Sequence, residues 1–362
     1  VSVSGALGGA EGLGGLQVTS TSGTITFSGA IDDTNNRGST ININSGSGNI
    51  VFSGNIGASS PVDTFTVEAA ADVSIQNLGA GAAGVNNATS ITNSGTTTFN
   101  GTTYKANSQT YNSSTGYTLS GGATTTFSSS ADQIQFQSGS ISLGTGSNLA
   151  VDTAGSAAVL TAISGQGTET VNITTGSSSA GSINVGAISS VGAVTLESGT
   201  DSLVTSSINS AGTVDLDGDA AITIGGLVKT SGGNNIDITT NGALSLSGGL
   251  DTSNAGSDAA GTLTLNSSIS NIVLSGNTII RTNGSSDTAL TLAETIDATS
   301  AGTETLSIDT GTSDLTINSA IGGTTNLGAL ILGGNDIVAT ANLSAAGITI
   351  SSVEGGDADS VD

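Results

Sequence analysis

The run Asp215-Leu216-Asp217-Gly218-Asp219-Ala220 sets three carboxylates at alternate positions, as the opening of a calcium-binding loop does. Such a loop then needs a glycine where Ala220 stands and a bidentate glutamate where Gly226 stands. A strand with one solvated face produces the same alternation. Ordinary strand and turn carboxylates are therefore the expectation; calcium is the one ion worth weighing, and no other cofactor is expected. Nucleophilic hydrolysis needs a serine or cysteine beside a base. Histidine and cysteine are both absent, and lysine occurs only as Lys105 and Lys229. The same absences remove the usual ligands of zinc, copper and iron. Paired carboxylates could hydrolyse glycosides, but the chain has no tryptophan platform and only four basic residues, Arg37, Lys105, Lys229 and Arg281, to grip a sugar. A non-enzymatic protein is expected.

Four basic residues against 28 acidic ones give a formal net charge of −24. Phosphate backbones and anionic lipid both require a basic face, so no nucleic-acid partner is expected. No apolar run reaches the ~18 residues of a membrane-spanning helix, so no membrane insertion is expected. Charged residues are 9% of the chain, against ~25% in ordinary globular domains. Serine, threonine, asparagine and glycine must supply the surface. Several N-x-S/T sequons occur, among them Asn87, Asn172 and Asn342, and in so Asn-, Ser- and Thr-rich a chain chance accounts for them.

Aromatic residues are unevenly placed. All nine lie before residue 137, and the three tyrosines, Tyr104, Tyr111 and Tyr117, fall in the run Phe99–Tyr117. Residues 87–137 thus form an aromatic, Tyr-bearing segment, a local elaboration of the chain. Two readings stand side by side: rings stacked in a widened core, or an exposed contact patch or subunit interface.

The elements that must carry these residues are short. Apolar–polar–apolar triplets recur throughout, as in Ile41-Asn42-Ile43, Ile50-Val51-Phe52, Val214-Asp215-Leu216, Ile222-Thr223-Ile224 and Leu315-Thr316-Ile317, each followed by a Gly/Ser/Asn/Asp turn. The apolar period is two, and glycine interrupts the windows that could have been helical. Mean hydropathy is positive and the apolar residues alternate, which argues against a disordered Gly/Ser linker. In the C-terminal half, triplets come in pairs, and the pairs recur at roughly 22–27 residues, the period of a solenoid. A three-residue strand cannot stand alone; stacked on its equivalent in the next coil it gains a hydrogen-bonded ladder, and its inward residues build a continuous core. The expected fold is all-β, one continuous parallel β-helix or solenoid over residues 1–362 with about 15 coils, ending in an acidic tail at 353–362. A string of immunoglobulin-like sandwiches is the rival, disfavoured by the want of bulky aromatic core residues.

The stretch Val1–Ser20 superimposes on Leu315–Gly334 without a gap at an offset of 314, Leu7-Gly8-Gly9 falling on Ile321-Gly322-Gly323. A chain that opens inside a repeat, without initiator Met or basic leader, is expected to be processed or cut from a longer array, or to join copies end to end. Val1 and Val3 at one end and Ile348 and Ile350 at the other are the candidate contacts for that assembly.

The runs "SGALGGAEGLGGLQV" and "SAIGGTTNLGALIL" resemble the recurring module of large bacterial β-strand-repeat, filamentous-haemagglutinin-like surface exoproteins. "NSQTYNSS", Asn107 to Ser114, and "TITFSGAI" and "NIVFSGNI" are similar to further elements of that family. The resemblance implies secretion to the cell surface, a right-handed β-helix, and a role in adhesion, biofilm matrix or fibre formation; it supplies no catalytic residue. The expected function is a structural rod or filament built by coil stacking and self-association. The alternative is an adhesin shaft recognising a glycan or a surface protein.

Overall fold

The computed structural model describes residues 1–9, 11–35, 37–79, 84–176 and 179–352. The acidic segment 353–362 lies outside them. Among the described residues there is no helix, and about half are in strands. The strands pair in parallel and in register from one coil to the next, a β-solenoid of about 14 turns. Parallel pairing rules out the sandwich reading, whose sheets are antiparallel. The chain forms two compact units, residues 1–186 and 187–362.

In the first unit each coil has three walls. One carries the inward column Phe27, Phe52, Ile75, Phe99, Leu119 and Leu143. The next begins as single bridges, Leu7, Ile31, Ile56, Leu78 and Tyr104, and continues as a strand ladder through Phe127, Val151 and Ile173. The third runs Val18, Ile43, Val67, Ile91, Tyr111 and Phe136. Alternation does the sorting: in Ile41-Asn42-Ile43 the isoleucines are buried and the asparagine faces out.

The second unit repeats the plan. Its first wall stacks Ile188, Ile208, Val228, Leu250, Ile280, Ile308, Leu332 and Ile350. A second stacks Leu196, Leu216, Ile238 and Leu265. The third stacks Leu203, Ile222, Leu244, Ile272 and Ile296, then Ile321 and Leu343. Coil length is looser than the 22–27 residues expected: Leu332 to Ile350 takes 18 residues and Leu250 to Ile280 takes 30. Length differences are absorbed at corners, where a loop can grow without disturbing the ladder.

The glycines of the duplicated module explain its recurrence. Gly8 and Gly322 both lie in the left-handed region, at φ +74° and +70°. A Cβ at Gly322 would sit 2.0 Å from the Ser344 carbonyl oxygen of the next coil. The residue before each is a core rung, Leu7 bridging to Ile31 and Ile321 to Leu343. The module is thus a corner: an apolar rung, then a turn only glycine can make this close to the neighbouring backbone.

Candidate functional site

The aromatic segment is core. Tyr104, Tyr111 and Tyr117 are each at most 1% exposed. Their rings gather around Phe99, which meets Tyr104 at 4.8 Å, Tyr111 at 5.2 Å and Phe127 at 5.0 Å between centroids, all edge-on. Phe136 closes the cluster against Tyr111 and Tyr117. The hydroxyls are satisfied from within. Tyr104 donates to the Ile75 carbonyl at 3.2 Å and accepts from the Gly101 N–H at 3.0 Å. Tyr111 donates to Gln109 Oε1 at 2.7 Å, and Tyr117 donates to the Tyr111 carbonyl at 2.6 Å. Buried Gln109 in turn donates to the carbonyls of Tyr104 and Ser128. Desolvation pushes all three phenols above their ordinary range. The exposed-patch reading of these tyrosines is therefore corrected: a ring in a wide coil interior fills volume that aliphatic rungs cannot.

The end residues lie where the columns place them. Ile350 continues the core column of Leu332, and Ile348 that of Leu330. Both are partly exposed, at 38% and 45%, as is Val1 at 58%, while Val3 is intermediate. Ile348 and Ile350 are thus rungs of core type with an open side among the described residues.

Asp215, Asp217 and Asp219 do not form an ion-binding loop. Val214–Gly218 is a strand, and its aspartates point outward beside those of adjoining coils: Asp215 pairs in register with Asp237, and Asp217 with Glu197. Partial desolvation and then the charges of Asp237, Asp217 and Glu197 raise the Asp215 carboxyl above its ordinary range; desolvation and Asp219 raise Asp217. Among the described residues no group of three or more acidic side chains is placed to hold a metal ion.

Other carboxylates stitch corners. Glu169 accepts from the backbone N–H groups of Gln166 at 2.7 Å and Gly146 at 3.1 Å, and those bonds hold it down to about 2. Burial would raise Asp33, but N–H groups of Arg37, Ser39 and Leu13 outweigh it and hold the group below its usual range.

One constellation escaped the sequence reading. Lys229, Asp251, Arg281 and Asp309 are successive register partners in four adjacent coils, alternating in sign. Arg281 Nη1 lies 3.3 Å from Asp251 Oδ2. Asp251 also accepts from the N–H groups of Ser253 and Ala255, tying down the corner loop that lengthens this coil. Lys229 Nζ donates to Asn254 Oδ1 of the same loop at 2.9 Å. The signal was available: each of the four charges directly follows the inward residue of its strand, Val228, Leu250, Ile280 or Ile308.

No protein-family model, no curated protein and no solved structure matches the chain.

Proposed function

We propose that this chain is a non-enzymatic structural protein, a length of β-solenoid for an extracellular fibre, sheath or matrix that works by self-association and coil stacking. The observation that carries this reading is how its polar chemistry is spent. Glu169, Asp33, Asp251 and Asp287 each accept backbone N–H bonds at corners, and the tyrosine hydroxyls are consumed inside the core. Side chains used this way hold a scaffold. The resemblance to haemagglutinin-like exoproteins favours the cell surface as its place. Core-type residues with an open side, Ile348 and Ile350, suit end-on stacking of further coils. The adhesin alternative drew on the polar side faces or the tyrosine segment, and the burial of the rings leaves it only the polar faces.

Negative-stain microscopy at rising concentration tests the reading. Particles that lengthen by coil stacking are the expected result, and Ile348→Lys together with Ile350→Lys should abolish the lengthening. Particles of one fixed length at every concentration would overturn end-on assembly.

A further inference from the structure

Seven large apolar side chains stand exposed among the described residues, and three of them, Leu227, Ile279 and Ile331, fall in a single column on one wall of the second unit. Read coil by coil, the column is Leu227, Gly249, Ile279, Ser307, Ile331, Thr349, large and small in alternation. Beside it runs the column Lys229, Asp251, Arg281, Asp309, Gly333, Ser351, whose charges sum to zero. The adjoining wall of the same unit is different, with Glu197, Asp215, Asp217 and Asp237 facing outward. In a chain of net charge −24 with four basic residues, two of the four have been placed on the wall that carries the apolar column. A second copy meets less like-charge repulsion there than on that acidic wall.

We propose that this wall is a lateral docking surface for a second copy of the chain, related by a two-fold axis along the strand direction. Facing β-sheets pack about 10 Å apart with interdigitating side chains. Place the axis midway between the strands Thr278–Arg281 and Thr305–Asp309. Ile279 then meets Ser307 of the second copy and Leu227 meets Thr349, a large residue against a small one each time, while Ile331 falls over the strand at Gly249, which is itself buried. The same operation sets Arg281 against Asp309 of the second copy, twice over, as an isologous contact requires. A hollow of about 250 Å³ lined by Ser307, Asp309, Ile331 and Gly333 lies where the incoming Ile279 side chain would seat. Six coils at about 4.8 Å give a strip of about 400 Å² per copy, below a standard interface. The contact is accordingly weak, with a dissociation constant on the order of 100 μM. It is lateral, distinct from the end-on stacking proposed above.

Sedimentation velocity of the 362-residue chain up to about 1 mM tests this. The weight-average mass should climb from 34.5 kDa toward twice that value. Ile279→Glu and Ser307→Lys, both at outward positions that leave the core intact, should each weaken association at least tenfold. Their equimolar mixture should restore it, because the two introduced charges meet across the axis. Thr223→Glu, on another wall, should change nothing. A mass fixed at 34.5 kDa overturns the proposal. So does association indifferent to Ile279→Glu, which would place the contact at the coil ends or another wall. A mixture that associates no better than either variant alone overturns it as well.

Discussion

At Gly322 one hydrogen atom separates a foldable corner from a collision. Its φ of +70° is strained for any L side chain, and a Cβ would stand 2.0 Å from a carbonyl oxygen of the next coil. Gly322→Ala should therefore cost at least about 2 kcal/mol, read as a lower chemical-denaturation midpoint; Gly323→Ala, whose nearest neighbour is the Ala320 side chain at 3.1 Å and whose φ is ordinary, should cost much less. Carboxylates divide into two groups with opposite pH behaviour. Glu169 is held down to about 2 by backbone donors, so its contribution is present above the ordinary glutamate range and is lost as pH falls from about 4.5 toward 2. Asp215 is raised, so it opposes folding at neutral pH, and that opposition fades as pH falls through its raised value. Asp215→Asn should stabilise by about 0.5 kcal/mol at pH 7, the scale of a like-charge pair across a ladder. The gain should vanish below pH ~4, where aspartate is protonated in both states. A gain that persists unchanged in acid would assign it to something other than charge.

At the scale of the elements, the strands were legible and their interiors were not. Triplets such as Ile222-Thr223-Ile224 and Leu244-Ser245-Leu246 announce themselves by alternation, and in-register stacking then follows because each strand has only its neighbours to pair with. The tyrosine segment was ambiguous because a ring fits a widened core or an exposed patch equally well by composition; only the closing of six rings on one another decides between them. The charged column went unread because its members lie 22, 30 and 28 residues apart, a spacing blurred by the loop after Asp251. Phe99 is the hub of the aromatic cluster, so Phe99→Ala should cost about 3–5 kcal/mol, measured by urea unfolding of the full chain. Tyr111→Phe keeps the ring but strands Gln109 Oε1 without its donor, a loss of about 1–2 kcal/mol. A loss as large as that of Phe99→Ala would mean the ring itself had shifted.

At the scale of the whole molecule, each coil touches chiefly the coils before and after it, so stability accumulates by neighbour terms. A net charge of −24 opposes that stacking. Salt screens charges beyond about 8 Å at physiological ionic strength. Raising sodium chloride from about 10 to about 300 mM should therefore raise Tm, followed by far-ultraviolet circular dichroism. A Tm that fell with salt would mean that favourable pairs such as Arg281–Asp251 outweigh the self-repulsion.

All nine aromatic residues lie before position 137, inside the first unit, and tryptophan is absent. The second unit therefore has no fluorophore and no near-ultraviolet signal of its own. Tyrosine emission and near-ultraviolet dichroism will follow residues 1–186 alone, while backbone dichroism follows both units. The two optical signals, recorded on the same sample, separate the melting of one half of the chain from the other without a label.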